Sequence, residues 1–246
     1  MTEVSFSSAH GTHRGYLAEP AADGPWPGVV VIHDVFGITR DLRRQCEWLA
    51  SSGYLAFAPD LFSTGSKLSC LRSIFLDLRT RRGRNFDEID AARSWLLDND
   101  RCSGRVGVIG YCMGGGFSLL LAPSGHYDVS SVNYGEVPKD AETFLATACP
   151  VVASYGARDR MLKGRAERLE RALRANNIDH DVKEYPDAGH GFLNRHEGGP
   201  GVLVAVVGRL LGQGYDESAA TDARRRIITF LDRYLKDDDL GGTPKE

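Results

Sequence analysis

Residues 105–117 read RVGVIGYCMGGGF. Val106 to Ile109 make an apolar run of the length and kind found in strands covered on both faces. The run closes at Gly110, and Gly114, Gly115 and Gly116 lie directly beyond Cys112. Glycines that lead from a buried strand into FSLLLA (117–122) predict a strand, a tight turn and a helix, with the thiol at the turn. Most buried cysteines are merely small hydrophobes, so any chemistry at Cys112 has to be argued from what else reaches the same place.

The same alternation extends in both directions. EVSFSSAHGTHRGYLAEP (3–20) reads as a hairpin of two strands. WPGVVVIHD (26–34) and GYLAFAPDLF (53–62) are further buried strands, with a helix between them over about Thr39 to Ser52, where Leu42, Cys46, Leu49 and Ala50 share one side. Ser63 to Asn85 reads as irregular or weakly helical and rich in arginine. Asp87 to Leu97 repeats as a helix through Ile89, Ala92, Leu96 and Leu97. DVSSVNYG and PVVASYG follow as strands, then a helix over Lys163 to Asn177, an alternating strand HDVKEYPD nearer an edge, and a last helix over about Ala219 to Leu235. Strands alternating with helices predict one α/β domain spanning residues 1–246, its sheet mostly parallel, twisted and wrapped on both faces.

Composition narrows the function. The chain has 246 residues, 42% of them hydrophobic and 26% charged, which suits a soluble globular protein with a core large enough to need no staples. A net charge of −3 argues against a nucleic-acid partner, which would normally demand a basic face, although a local basic cluster such as RTRRGR suits a small anion. The start, MTEVSFSSAHG, has neither the basic nor the apolar part of a signal peptide. The apolar run Val202 to Val207 is far too short to span a membrane. Five cysteines (Cys46, Cys70, Cys102, Cys112 and Cys149) without CxxC spacing argue against a disulfide framework or zinc site and for a reducing, cytoplasmic setting. No HExxH or similar ligand spacing occurs, so neither metal nor organic cofactor is expected.

In a parallel sheet, ligands bind beyond the carboxyl ends of the strands. Cys112 stands there after RVGVIGY, Asp159 after PVVASYG, and His190 after HDVKEYPD. Thiol, acid and imidazole in that chain order are what the nucleophile elbow of the α/β-hydrolases requires, and Gly110, Cys112 and Gly114 satisfy its G-x-nucleophile-x-G pattern. Small neighbours let helix and strand pass closely, and the helix N-terminus turns its unpaired N–H groups toward the sulfur. Such an environment favours thiolate. Cys112 is then the nucleophile, His190 the base and later the acid, and Asp159 the group that orients the ring. A dinucleotide loop is the competing reading of the glycines, but Gly107, Gly110 and Gly114 do not fit G-x-G-x-x-G.

With these residues in place the chain resembles the dienelactone hydrolase family, a cysteine branch of the α/β-hydrolases. GYCMGGG, GARD, AGHGF, VVVIHDVFGIT and GYLAFAPDLF carry the resemblance, from about Gly28 to Leu235. It implies an acid in the first strand-loop that acts on the resting thiol, here Asp34, where the family commonly has Glu. It also implies an oxyanion hole from the backbone N–H groups of Val35 and Met113. The family holds a substrate carboxylate with arginines; the candidates here are Arg72, Arg79, Arg81 and Arg195, and Asn194 stands where a family arginine would fall. Phe36 and Tyr134 are candidate pocket walls. Residues 197–216 look like an insertion that covers the site or makes a dimer contact.

The activity implied is a cytoplasmic hydrolase, monomer or homodimer, that opens a small ester or lactone through a thioester on Cys112, with neither nucleic acid nor membrane as partner. Two other readings stay open: a general carboxylesterase or thioesterase on the same scaffold, and a redox-sensing or ligand-binding module that keeps the elbow without turnover.

Overall fold

A computed structural model describes residues 2–63, 65–195 and 214–236. Among the described residues eight strands form one sheet: β1 (Thr2–Ser8), β2 (Gly11–Ala18), β3 (Trp26–Ile32), β4 (Leu55–Pro59), β5 (Cys102–Tyr111), β6 (Ser130–Asn133), β7 (Val151–Gly156) and β8 (His180–Tyr185). Their spatial order is β1, β2, β4, β3, β5, β6, β7, β8. The hairpin β1–β2 joins β4 antiparallel, and every pairing from β4 through β3 to β8 is parallel. HDVKEY is thus an edge strand, as its sequence suggested, and only Tyr185 in it is buried.

Apolar continuity in the central strands follows from burial on both faces. Val29 and Val31 of β3 point into one core with Leu42, Leu49, Ile227 and Leu231. Val30 and Ile32 point into the other with Ile74, Ile89, Leu96 and Phe117. The helices that supply these layers are α1 (Arg40–Ser51), α2 (Lys67–Thr80), α3 (Arg84–Leu97), α4 (Met113–Leu121), the single turn α5 (Ala141–Phe144), α6 (Arg165–Ala175) and α7 (Glu217–Leu235). Among the described residues no helix is long and apolar enough to cross a membrane.

The stretch expected to be irregular or weakly helical after β4 contains a fourteen-residue helix, α2. Ser66 caps it by accepting the Ser69 N–H, and Arg81 ends it in a left-handed conformation at φ 57°. Its buried residues are only Cys70, Ile74 and Asp77, while Leu68, Phe75 and Leu76 are exposed. Apolar residues on both sides hid the helical period. Asp77 closes the turn into α3: its Oδ2 accepts the Asn85 backbone N–H at 3.0 Å and side-chain Nδ2 at 2.7 Å. α3 therefore starts at Arg84, earlier than periodicity alone indicates. The expected insertion at 197–216 lies outside the described residues except for 214–216.

Candidate active site

β3 and β5 run side by side, with Ile32 opposite Gly110, so their C-terminal loops emerge together. Cys112 is the residue between β5 and α4, at φ 57° and ψ −115°. A non-glycine residue at positive φ is costly and persists only where its surroundings over-determine it. Here the Cys112 N–H donates to the Asn133 carbonyl at 3.1 Å, and its own carbonyl accepts the Gly116 N–H at 3.1 Å. Asn133 Nδ2 also donates to the Gly110 carbonyl. The glycines are a packing requirement. A Cβ on Gly110 would lie 1.9 Å from the Gly114 carbonyl oxygen, and one on Gly114 would lie 2.3 Å from that of Ile32.

Asp159 and His190 meet from the ends of β7 and β8. A Cβ on Gly156 would lie 2.5 Å from the Ala188 carbonyl oxygen, so glycine lets the two loops close on one another. Asp159 is buried; its Oδ1 accepts the N–H groups of Met161 at 2.9 Å and Leu162 at 3.3 Å. Its Oδ2 lies 2.6 Å from His190 Nδ1. An ionised carboxylate only accepts, so Nδ1 carries the proton of that bond. Burial opposes a charge on the ring, but the Asp159 hydrogen bond and the nearby Cys112 sulfur overcome it, and the pKa is pushed up to about 10. Among the described residues Nε2 is buried without a hydrogen-bond partner, and the half-buried Cys112 is near enough to the ring to help raise its pKa. Sulfur, imidazole and carboxylate are therefore brought together.

The loop after β3 carries Asp34, Val35 and Phe36. Asp34 Oδ1 accepts the Phe36 N–H at 2.8 Å, which fixes the turn around Val35. The first N–H groups of α4, beginning at Met113, have no acceptor within their own helix. His33, which sequence reasoning missed, ties this loop to the end of β4. Its Nδ1 donates to the Asp34 carbonyl at 2.7 Å and its Nε2 accepts the Leu61 N–H at 3.1 Å. Full burial pushes its pKa down, which keeps the ring neutral for both bonds. HDVFG was the signal available, a polar ring where a buried strand ends.

The remaining candidates take other places. Arg81 makes a two-pronged pair with Asp140 and lies over the Phe144 ring, and Arg72 and Arg79 are exposed on α2. The Arg195 guanidinium pairs with Glu217 and stacks on Tyr215. Tyr134 is a buried support, not an open wall: its ring meets His190 edge-on at 5.2 Å. Phe36 is half-buried, and Lys67 Nζ donates to its carbonyl at 3.2 Å and lies 5.9 Å above its ring. Among the described residues no three His, Cys, Asp or Glu side chains gather as a metal-ligand group.

Residues 13–235 match the model of the dienelactone hydrolase family. The chain belongs to the dienelactone hydrolase family. A relative in Escherichia coli K12 is 31% identical over 238 residues, covering 89% of this chain and 82% of its own. The carboxymethylenebutenolidase of Pseudomonas putida is 27% identical over 247 residues, covering 94% and 96%. A crystal structure from Klebsiella pneumoniae superposes with a TM-score of 0.76 at 25% identity, over 95% of this chain and 98% of that one. As a dienelactone hydrolase family member the chain has the α/β-hydrolase fold and is a hydrolase.

Proposed function

We propose that this hydrolase opens a lactone or carboxylic ester through an acyl thioester on Cys112. The carrying observation is the buried His190–Asp159 pair at 2.6 Å beside a thiol held at positive φ on a helix N-terminus. A ring protonated near neutral pH places positive charge beside the sulfur, which favours thiolate. The thiolate adds to the substrate carbonyl carbon, and the C=O electron pair moves onto oxygen. The Val35 and Met113 N–H groups stabilise that oxyanion, and such donors are typically worth on the order of 10²–10³ in rate each. Collapse re-forms the carbonyl and breaks the C–O bond, and the leaving alkoxide takes a proton from His190 Nε2. Water then attacks the thioester while His190 removes its proton, and the thiolate departs. Asp34 has the role of the acid that acts on the resting thiol.

Cys112→Ala is expected to abolish turnover of an activated ester; retained turnover would refute the nucleophile. If the chain were instead a redox sensor, a sulfenic-acid probe would label Cys112 in a protein that hydrolyses no ester.

A second reading, a general carboxylesterase or thioesterase, is favoured by the engagement of Arg81 with Asp140 and of Arg195 with Glu217. A panel comparing a carboxylate-bearing lactone with a neutral p-nitrophenyl ester separates the two. Preference for the lactone supports a dienelactone-type substrate, and equal or better use of the neutral ester supports the broader esterase.

A further inference from the structure

A buried polar chain that the chemistry above does not use runs up to the catalytic ring. Asp41, in the first turn of α1, accepts from Asn194 Nδ2 on one carboxylate oxygen at 2.6 Å and from the Arg195 N–H on the other at 2.9 Å. The Tyr134 hydroxyl hydrogen-bonds Asn194 Oδ1. Asp41, Asn194 and Tyr134 are each at least nine-tenths buried. The carboxylate sets the direction of the whole chain. It only accepts, so the Asn194 amide must present its nitrogen to Asp41 and its oxygen to Tyr134, and the phenol must donate.

The inner end of this chain is a ring under backbone constraint. Tyr134 sits at φ 41°, a conformation that a non-glycine residue keeps only when neighbours impose it. Its N–H donates to the Ser154 carbonyl at 2.8 Å, its hydroxyl is anchored by Asn194, and its edge lies against His190 and Phe192. The anchor therefore decides where the ring stands, and the ring decides how far the imidazole can tilt.

We infer that Asn194 and Tyr134 are positioning residues for His190: fastened through Asn194 to Asp41, the Tyr134 ring holds the imidazole with Nδ1 on Asp159 and Nε2 toward Cys112. The inference rests on His190 being the acid–base group. It assigns a use to position 194 that differs from contact with substrate, since both polar atoms of the Asn194 amide are engaged inside the protein.

Tyr134→Phe removes one oxygen and leaves the ring, so it is the first test. Expected is a fall in kcat of about tenfold with KM unchanged, less than the roughly hundredfold loss that a full ångström of misplacement brings. The low-field proton resonance of the His190–Asp159 hydrogen bond should shift or broaden in the same variant. The double variant Tyr134→Phe with Asn194→Ala should fall no further than Asn194→Ala alone, because the two act as one unit. Wild-type kcat together with an unmoved resonance in folded Tyr134→Phe would overturn the inference, whether or not Asn194→Ala folds. If Cys112→Ala kept its turnover, the proposed nucleophile would fall, but the resonance in Tyr134→Phe would still decide the positioning claim because it requires no turnover.

Discussion

Asp159 cannot swing, because backbone N–H groups hold one oxygen and His190 holds the other. Replacing it with Asn should preserve packing but stop stabilising the protonated ring, and steady-state kinetics should show kcat reduced on the order of 10²–10⁴. The raised pKa of His190 also has a consequence for stability. A folded value of about 10 lies above that of an unfolded histidine, roughly 6.5. The ring thus binds its proton more tightly when folded, and that contribution is complete below about pH 6.5, declines as pH rises, and is gone above about 10. Urea midpoints of wild type should fall more steeply from pH 6.5 to 10 than those of His190→Gln. Parallel curves would show that folding does not raise this pKa.

The turn from β5 into α4 is built on backbone contact, and neighbouring glycines within it differ in what they tolerate. Gly110→Ala drives a methyl into the Gly114 carbonyl and should cost about 1–3 kcal/mol or more in denaturation experiments. At Gly116 the nearest atom to an added Cβ is the flexible end of Leu78 at 3.3 Å. Gly116→Ala should therefore stay within about 1 kcal/mol of wild type, helped by helix propensity. The elements flanking the site are legible in the sequence because each central strand is buried on two faces and each long helix shows one apolar side. α2 is the exception. Three exposed apolar residues on it cancel the period, and the information that specifies it, the Ser66 cap and the Asp77–Asn85 closure, is local hydrogen bonding that hydrophobic patterning does not express.

Across the whole molecule the five thiols differ in environment, and this gives a direct chemical test. Burial pushes Cys46 and Cys70 up, and Cys149 up to about 12, whereas Cys112 is half-buried on a helix N-terminus. Iodoacetamide at neutral pH should modify Cys112 before Cys46, Cys70 and Cys149 by peptide mapping; uniform labelling would count against a tuned thiol. Cys112, Asp159 and His190 stand out as candidates in the sequence because each lies in the turn or loop that follows a strand, and the C-terminal ends of parallel strands share one rim. The Asp41–Asn194–Tyr134 chain has no such signature, since its partners are 153 and 60 residues apart and only the folded sheet brings them together. The parallel pairings from β4 to β8 also bear on how fast the protein refolds. Each neighbouring pair needs a crossover to be closed before any ladder rewards it, which makes such sheets slow to assemble. After dilution from denaturant, helical ellipticity should return well ahead of ester turnover, because the reacting groups meet only when β3 and β5 through β8 are all in register.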